Sequence, residues 1–103
     1  MPQFIFAYHG GGMPETEEES AKVMAKWGAW MQGLGKAMVN PGAPVGMSHT
    51  VDASGVAENG GANPLSGFTI VEAGGMDAAT AMAKGCPILE NGGTVEVAEM
   101  MEM

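Results

Sequence analysis

Residues 3–8, Gln-Phe-Ile-Phe-Ala-Tyr, are rich in aromatic and branched side chains and stop at Gly10-Gly11-Gly12 and Pro14, which predicts a strand. Thr16 then opens Thr-Glu-Glu-Glu, with Glu19 three positions on, the capping-box pattern of a helix start. Glu17, Glu18 and Glu19 fall where the helix dipole favours negative charge. Val23, Trp27, Trp30, Met31 and Leu34 follow at helical spacing on one side, and Gly35 suits the chain reversal after them. A helix over 17–34 is expected.

The remaining pattern is shorter in period. Residues 37–40 predict a strand ended by Pro41-Gly42-Ala43-Pro44, and 48–51 with the segment around Val56 predict a hairpin turning through Asp52-Ala53-Ser54-Gly55. Residues 58–64 read as a loop and 67–73 as a strand. Asp77 can cap a helix over 78–84, ended by Gly85 and Pro87, and 94–100 alternates as a last strand. The order is strand, helix, strand, hairpin, strand, helix, strand. That is a ferredoxin-like α+β plan, an antiparallel sheet with two helices on one face and a hairpin inserted. The whole chain, 1–103, reads as one domain.

Such a sheet should be apolar on one face only. Here Phe4, Phe6 and Tyr8 point one way and Ile5 and Ala7 the other, while Phe68 and Ile70 oppose Val71 and Ala73. Two helices cover one face. The other has a projected area of roughly 300 Å² by strand geometry, as large as the patch a soluble monomer normally exposes. Burying roughly 600–800 Å² per partner gives a gross gain of about 30–40 kcal/mol against an association cost of about 4–15. A homodimer through this sheet face is expected.

Composition narrows the partners further. The chain has 12 acidic residues, 4 lysines and no arginine, a formal net charge of −8. It cannot assemble the basic patch that nucleic acid or an anionic membrane requires, and a neutral or cationic small molecule suits it better than an anion. Cys86 is the sole cysteine, so no intrachain disulfide forms. No run approaches a membrane span, the first residues lack a signal peptide's basic and apolar segments, and a cytoplasmic location is expected.

Five segments together resemble a known family: 8–14 (Tyr-His-Gly-Gly-Gly-Met-Pro), 27–30 (Trp-Gly-Ala-Trp), 61–68 (Gly-Ala-Asn-Pro-Leu-Ser-Gly-Phe), 83–88 (Ala-Lys-Gly-Cys-Pro-Ile) and 92–97 (Gly-Gly-Thr-Val-Glu-Val). Nearly end to end, the chain is similar to YCII-related proteins of the DGPF-domain branch. The resemblance implies a dimeric α+β barrel, two ferredoxin-like subunits with sheets face to face. For function it implies an enzymatic or small-ligand role, and some DGPF-branch members are associated with extracytoplasmic-function sigma factors. Shorter members carry a first-helix histidine proposed to pair with an aspartate. The first helix here has tryptophans and no histidine, so no dyad is carried over.

Candidate chemistry is sparse. His9 ends a strand beside three glycines, where imidazole would serve as a general acid or base; the plainer reading is a histidine capping a strand end. His49 and Asp52 stand three apart, on opposite sides of a regular strand, and form a dyad only if a bulge or turn joins them. Gly10-Gly11-Gly12 fits neither nucleotide fingerprint, and the glutamates after it repel anions. Trp27 and Trp30 are core residues by default; with Tyr8 they form the wall of a ligand pocket in the functional reading. Cys86 at a helix C-terminus has its thiol pKa raised, not lowered. Two histidines and one cysteine assign no metal site, and no cofactor is expected. The leading expectation is a small-molecule-binding or catalytic homodimer with a pocket between first helix and sheet, lined by Tyr8, His9, Trp27, Trp30 and His49. The alternative is a non-catalytic regulatory or interaction module, beside a sigma factor.

Overall fold

In the computed structural model, which describes residues 1–11, 15–58, 61 and 63–101, the expected elements form in the expected order. They are β1 (Gln3–His9), α1 (Glu17–Leu34), β2 (Met38–Pro44), β3 (Thr50–Asp52), β4 (Gly55–Ala57), β5 (Leu65–Glu72), α2 (Met76–Ala83) and β6 (Thr94–Glu99). Four strands make one antiparallel sheet in the order β2-β5-β1-β6, and β3 pairs with β4 as a separate hairpin. This is the ferredoxin-like α+β arrangement. Among the described residues no helix is long and apolar enough to cross a membrane.

The start of α1 is set by side chains. Thr16 Oγ1 accepts from the Glu19 N–H at 3.1 Å, and Glu19 Oε2 accepts from the Glu15 N–H at 3.2 Å, one residue before the reciprocal bond of a standard capping box. Thr16→Ala is expected to lower stability by about 1 kcal/mol, read as a shifted urea midpoint with unchanged slope. Gly35, with φ at +55°, ends the helix by donating its N–H to the Gln32 carbonyl.

Four boundaries differ from the sequence expectation by two residues or more. β2 does not stop at Asn40 but runs through Pro41-Gly42-Ala43-Pro44, because it is an edge strand paired on one side only. Its register against β5 shifts between Asn40 and Ala43, and Asn40 Oδ1 accepts from the Gly42 N–H at 2.8 Å to hold the kink. β5 starts at Leu65, two residues early. α2 starts at Met76 with Gly75 at its cap, so Asp77 lies in the first turn and caps nothing. The hairpin begins at Thr50, leaving His49 just outside it. The loop expected over 58–64 lies partly outside the described residues, as do Gly12 and Pro14 of the glycine loop.

The core lies between the sheet and both helices. Phe4, Phe6 and Tyr8 of β1 and Thr69 and Val71 of β5 are buried there, with Ala73, Ala79 and Ala83. Cys86 and Ile88, at a 3-10 turn over Pro87–Asn91, close one end. Trp27, Trp30 and Leu34 pack onto this core from α1, although α1 buries none of its residues fully. Ile5, Ala7, Phe68 and Ile70 take the opposite face and stay half-buried. The molecule is a slab of 43 × 40 × 18 Å with a radius of gyration of 14.7 Å, above the roughly 13 Å of a compact chain this long.

Candidate functional site

α1 stands off the sheet because the floor beneath its outer half is made of small residues. Gly42, Ala43 and Pro44 of β2 and Gly67 of β5 put little bulk under Val23, Met24, Trp27 and Met31. A Cβ on Gly42 would sit 1.8 Å from the Phe68 carbonyl oxygen, so only glycine lets the two strands approach this closely. The result is a cleft of about 480 Å³, the size of a small-molecule site, backed by Tyr8 and Thr69. Among the described residues no charged side chain lines it.

Aromatic contacts fix its inner wall. Trp27 meets Tyr8 edge-on, with ring centroids 5.1 Å apart, and Trp30 edge-on at 5.8 Å. Trp30 continues onto Phe6 at 6.1 Å, stacked, and its Nε1–H donates to the Met82 carbonyl at 3.0 Å. Of the expected lining, Tyr8 and Trp27 border the cleft. Trp30 lies behind it and ties α1 to α2.

The polar groups of the back wall are directed inward. Thr69 Oγ1 donates to the Pro41 carbonyl at 3.0 Å, so its single proton is committed and the 2.6 Å contact with Tyr8 is a bond donated by the phenol. Burial pushes the Tyr8 phenol well above its ordinary range, and Cys86 lies close enough to add to the shift. Ser66 differs. The residue lines the cleft, while its Oγ is turned into the protein and has no hydrogen-bond partner among the described residues. Tyr8 stands opposite Gly67 and His9 opposite Leu65, which makes Ser66 the extra residue of a bulge between β1 and β5. Sequence reasoning missed Ser66, since a bulge arises from the pairing of two strands.

His9 is elsewhere. Adjacent strand residues face opposite sides, so Tyr8 looks toward α1 and His9 toward the open sheet face. Its Nδ1 lies 3.0 Å from the Asn63 carbonyl and 3.3 Å from that of Pro64, and its Nε2 lies 3.1 Å from Glu96 Oε1. All three partners are acceptors, so both nitrogens are satisfied together when the ring carries both protons. With its side chain 12% exposed, His9 pins the loop before β5 to β6.

The structure does not gather the other two candidates at the cleft. His49 is exposed ahead of β3. Asp52 Oδ1 accepts from the Ser54 N–H at 2.8 Å, the Ser54 hydroxyl at 2.6 Å and the Gly55 N–H at 3.0 Å, which holds the hairpin turn and lowers its pKa through the Ser54 bonds first. Among the described residues no hydrogen bond joins it to His49, and no group of three His, Cys, Asp or Glu side chains is placed to hold a metal ion.

Burial pushes the Cys86 thiol from 9.0 to about 11; desolvation, rather than the helix dipole expected from sequence, is the largest cause. The folded chain therefore holds this proton harder than the unfolded chain does. Below pH 9 the two states are equally protonated, and above it the unfolded state loses the proton first. Stability is expected to decline as pH rises from 9 to about 11, and Cys86→Ala to flatten the part of the curve between 9 and 10, below the range where the raised Tyr8 phenol adds its own decline, in urea titrations at stepped pH.

The family model of the YCII-related domain matches residues 4–103. No curated protein matches the sequence. Among solved structures the chain is similar to 5-chloro-2-hydroxyhydroquinone dehydrochlorinase (TftG) from Burkholderia phenoliruptrix, in complex with 2,5-dihydroxybenzoquinone, with a TM-score of 0.56, 17% identity, and coverage of 96% of this chain and 95% of that one. At that identity the likeness shows a common fold.

Proposed function

The chain belongs to the YCII-related domain family, and from this membership we propose that it is a small-molecule-binding or catalytic protein that acts as a homodimer through its open sheet face. The observation that carries the reading is the cleft between α1 and the sheet, walled by Trp27 and Tyr8. A protein of similar fold named as a dehydrochlorinase supports a role with small molecules. The apolar strip of Ile5, Ala7, Phe68 and Ile70 supports the second subunit.

Among the described residues no histidine lines the cleft, so ligand binding is the form of the reading we favour. Acid/base work would fall to His9 on the open sheet face, with His49 and Asp52 of the hairpin as the remaining proposals. One observation favours the interaction-module alternative: every residue of β3 and β4 is exposed, including the facing pair Val51 and Val56.

A thermal-shift screen of small aromatic and alicyclic metabolites tests the binding reading, because a ligand of the native state raises apparent stability. The chain is expected to gain several degrees with its best ligands, and Trp27→Ala to lose that gain. A shift that survives in Trp27→Ala places binding outside the cleft and overturns the assignment.

A further inference from the structure

We propose that the cleft selects an uncharged, ring-bearing small molecule carrying a hydroxyl or carbonyl group, bound in its neutral form and read by the hydroxyl of Ser66. This rests on the cleft being the ligand site.

The exclusion of charge comes from the lining. α1, β1, β2, β5 and the 3-10 turn all contribute to it, and none supplies a Lys, Asp, Glu or His side chain. In a chain with 12 acidic residues, that absence sets this surface apart from the rest of the molecule. An ionised ligand entering it would give up its hydration and meet no opposite charge. Among the described residues a cation finds no carboxylate there and an anion no ammonium group. Tyr8 is the titratable group of the lining, and burial keeps its phenol protonated.

The ring follows from Trp27 and Tyr8, which present a rigid aromatic corner flanked by Met24 and Met31, side chains that adapt to a flat guest. The polar group follows from the hydroxyls. Tyr8 donates to Thr69 and Thr69 to Pro41, which leaves Ser66 of the sheet and Ser20 of α1; of these, Ser66 is the one whose hydroxyl is buried without a partner among the described residues. A buried hydroxyl without a partner is costly, and a turn about its Cα–Cβ bond lets Ser66 meet a ligand oxygen. Bulges commonly re-aim a side chain beside a site, and Ser66 occupies one.

The test uses three probes that share a nitrobenzene ring and quench indole fluorescence: nitrobenzene, 4-nitrophenol and 4-nitrobenzoate. Titrations are run below and above the ionisation of 4-nitrophenol, which lies near neutral pH. In the acidic buffer 4-nitrophenol is expected to bind about fivefold tighter than nitrobenzene, the equivalent of one ordinary buried hydrogen bond. In the alkaline buffer it should weaken about tenfold or more while nitrobenzene is unchanged, which separates ionisation of the probe from any titration of the protein. 4-Nitrobenzoate should bind in neither. Ser66→Ala is expected to bring 4-nitrophenol to the affinity of nitrobenzene, leave nitrobenzene alone and not lower folding stability. Equal binding of 4-nitrobenzoate and 4-nitrophenol overturns the neutral-ligand class while the cleft stands. An unchanged preference for 4-nitrophenol in Ser66→Ala overturns the role of Ser66. Quenching by all three probes that is identical in Trp27→Phe and in the native chain overturns the cleft reading beneath both.

Discussion

Gly42→Ala is expected to lower stability by roughly 2–4 kcal/mol, a large effect for one methyl group at an accessible edge. The new Cβ would lie 1.8 Å from the Phe68 carbonyl oxygen and 2.6 Å from its carbon, and backbone cannot yield as a flexible side chain does. Gly42 also holds φ at +68°, a conformation disfavoured for alanine. Both problems are relieved only if β2 separates from β5. That movement would carry away Gly42, Ala43 and Pro44, one wall of the cleft, so ligand binding should fall together with stability. Gly28→Ala is the control. Gly28 lies within α1 with open space where a Cβ would go, so alanine should stabilise by up to about 1 kcal/mol through helix propensity alone. Urea unfolding of the two variants beside the native chain checks the pair. A Gly42→Ala variant as stable as the native protein would show that the strand contact is looser than described.

Ile70→Lys is expected to convert the proposed dimer into a monomer while leaving the fold of the subunit intact. Ile70 lies on β5 opposite Ile5 of β1, central in the sheet, on the face turned away from both helices. Within one subunit a lysine there can extend into water, so the core of Phe4, Phe6 and Val71 is untouched. In a sheet-to-sheet dimer the same ammonium would be sealed between two apolar layers, at an effective cost of several kcal/mol per ion, and symmetry would introduce two of them. Light scattering on a sizing column should give twice the subunit mass for the native chain and a single subunit for the variant, with matching far-ultraviolet dichroism. A native chain that stays monomeric at micromolar concentration would sink the proposed assembly, as would a variant that stays dimeric.

How far the fold was legible depends on where each element takes its instructions. α1 was readable to the residue because Thr16, Glu19, Gly35 and the apolar stripe are local signals, and they agree. The two-sided sheet was readable because alternation reports parity directly, and the buried set Phe4, Phe6, Tyr8 and Val71 follows it. The same parity separates His9 from Tyr8, since neighbours on a strand cannot share a face; grouping them in one pocket put closeness in sequence above that rule. β2 was shortened because Pro-Gly-Ala-Pro has the composition of a turn, and only its place at the edge makes a strand of it. The cleft was the least legible feature. Its wall residue Trp27 was found, but its volume comes from the small residues opposite, which are spread over β2 and β5 and meet only after folding.

The kinked edge at β2 also bears on how an apolar sheet stays safe in a crowded solution. Flat outer strands recruit strands from other molecules and seed fibrils. Here Pro41 and Pro44 offer no amide hydrogens, and the register shifts between Met38 and Ala43 break the regular ladder a newcomer would need. At the other margin β6 carries Glu96 and Glu99, so a second β6 would bring carboxylates against carboxylates. Lateral growth of the sheet is thus discouraged at both ends while its broad face stays free to pair. Removing the prolines would leave that face as it is and open a route to polymer along the edge.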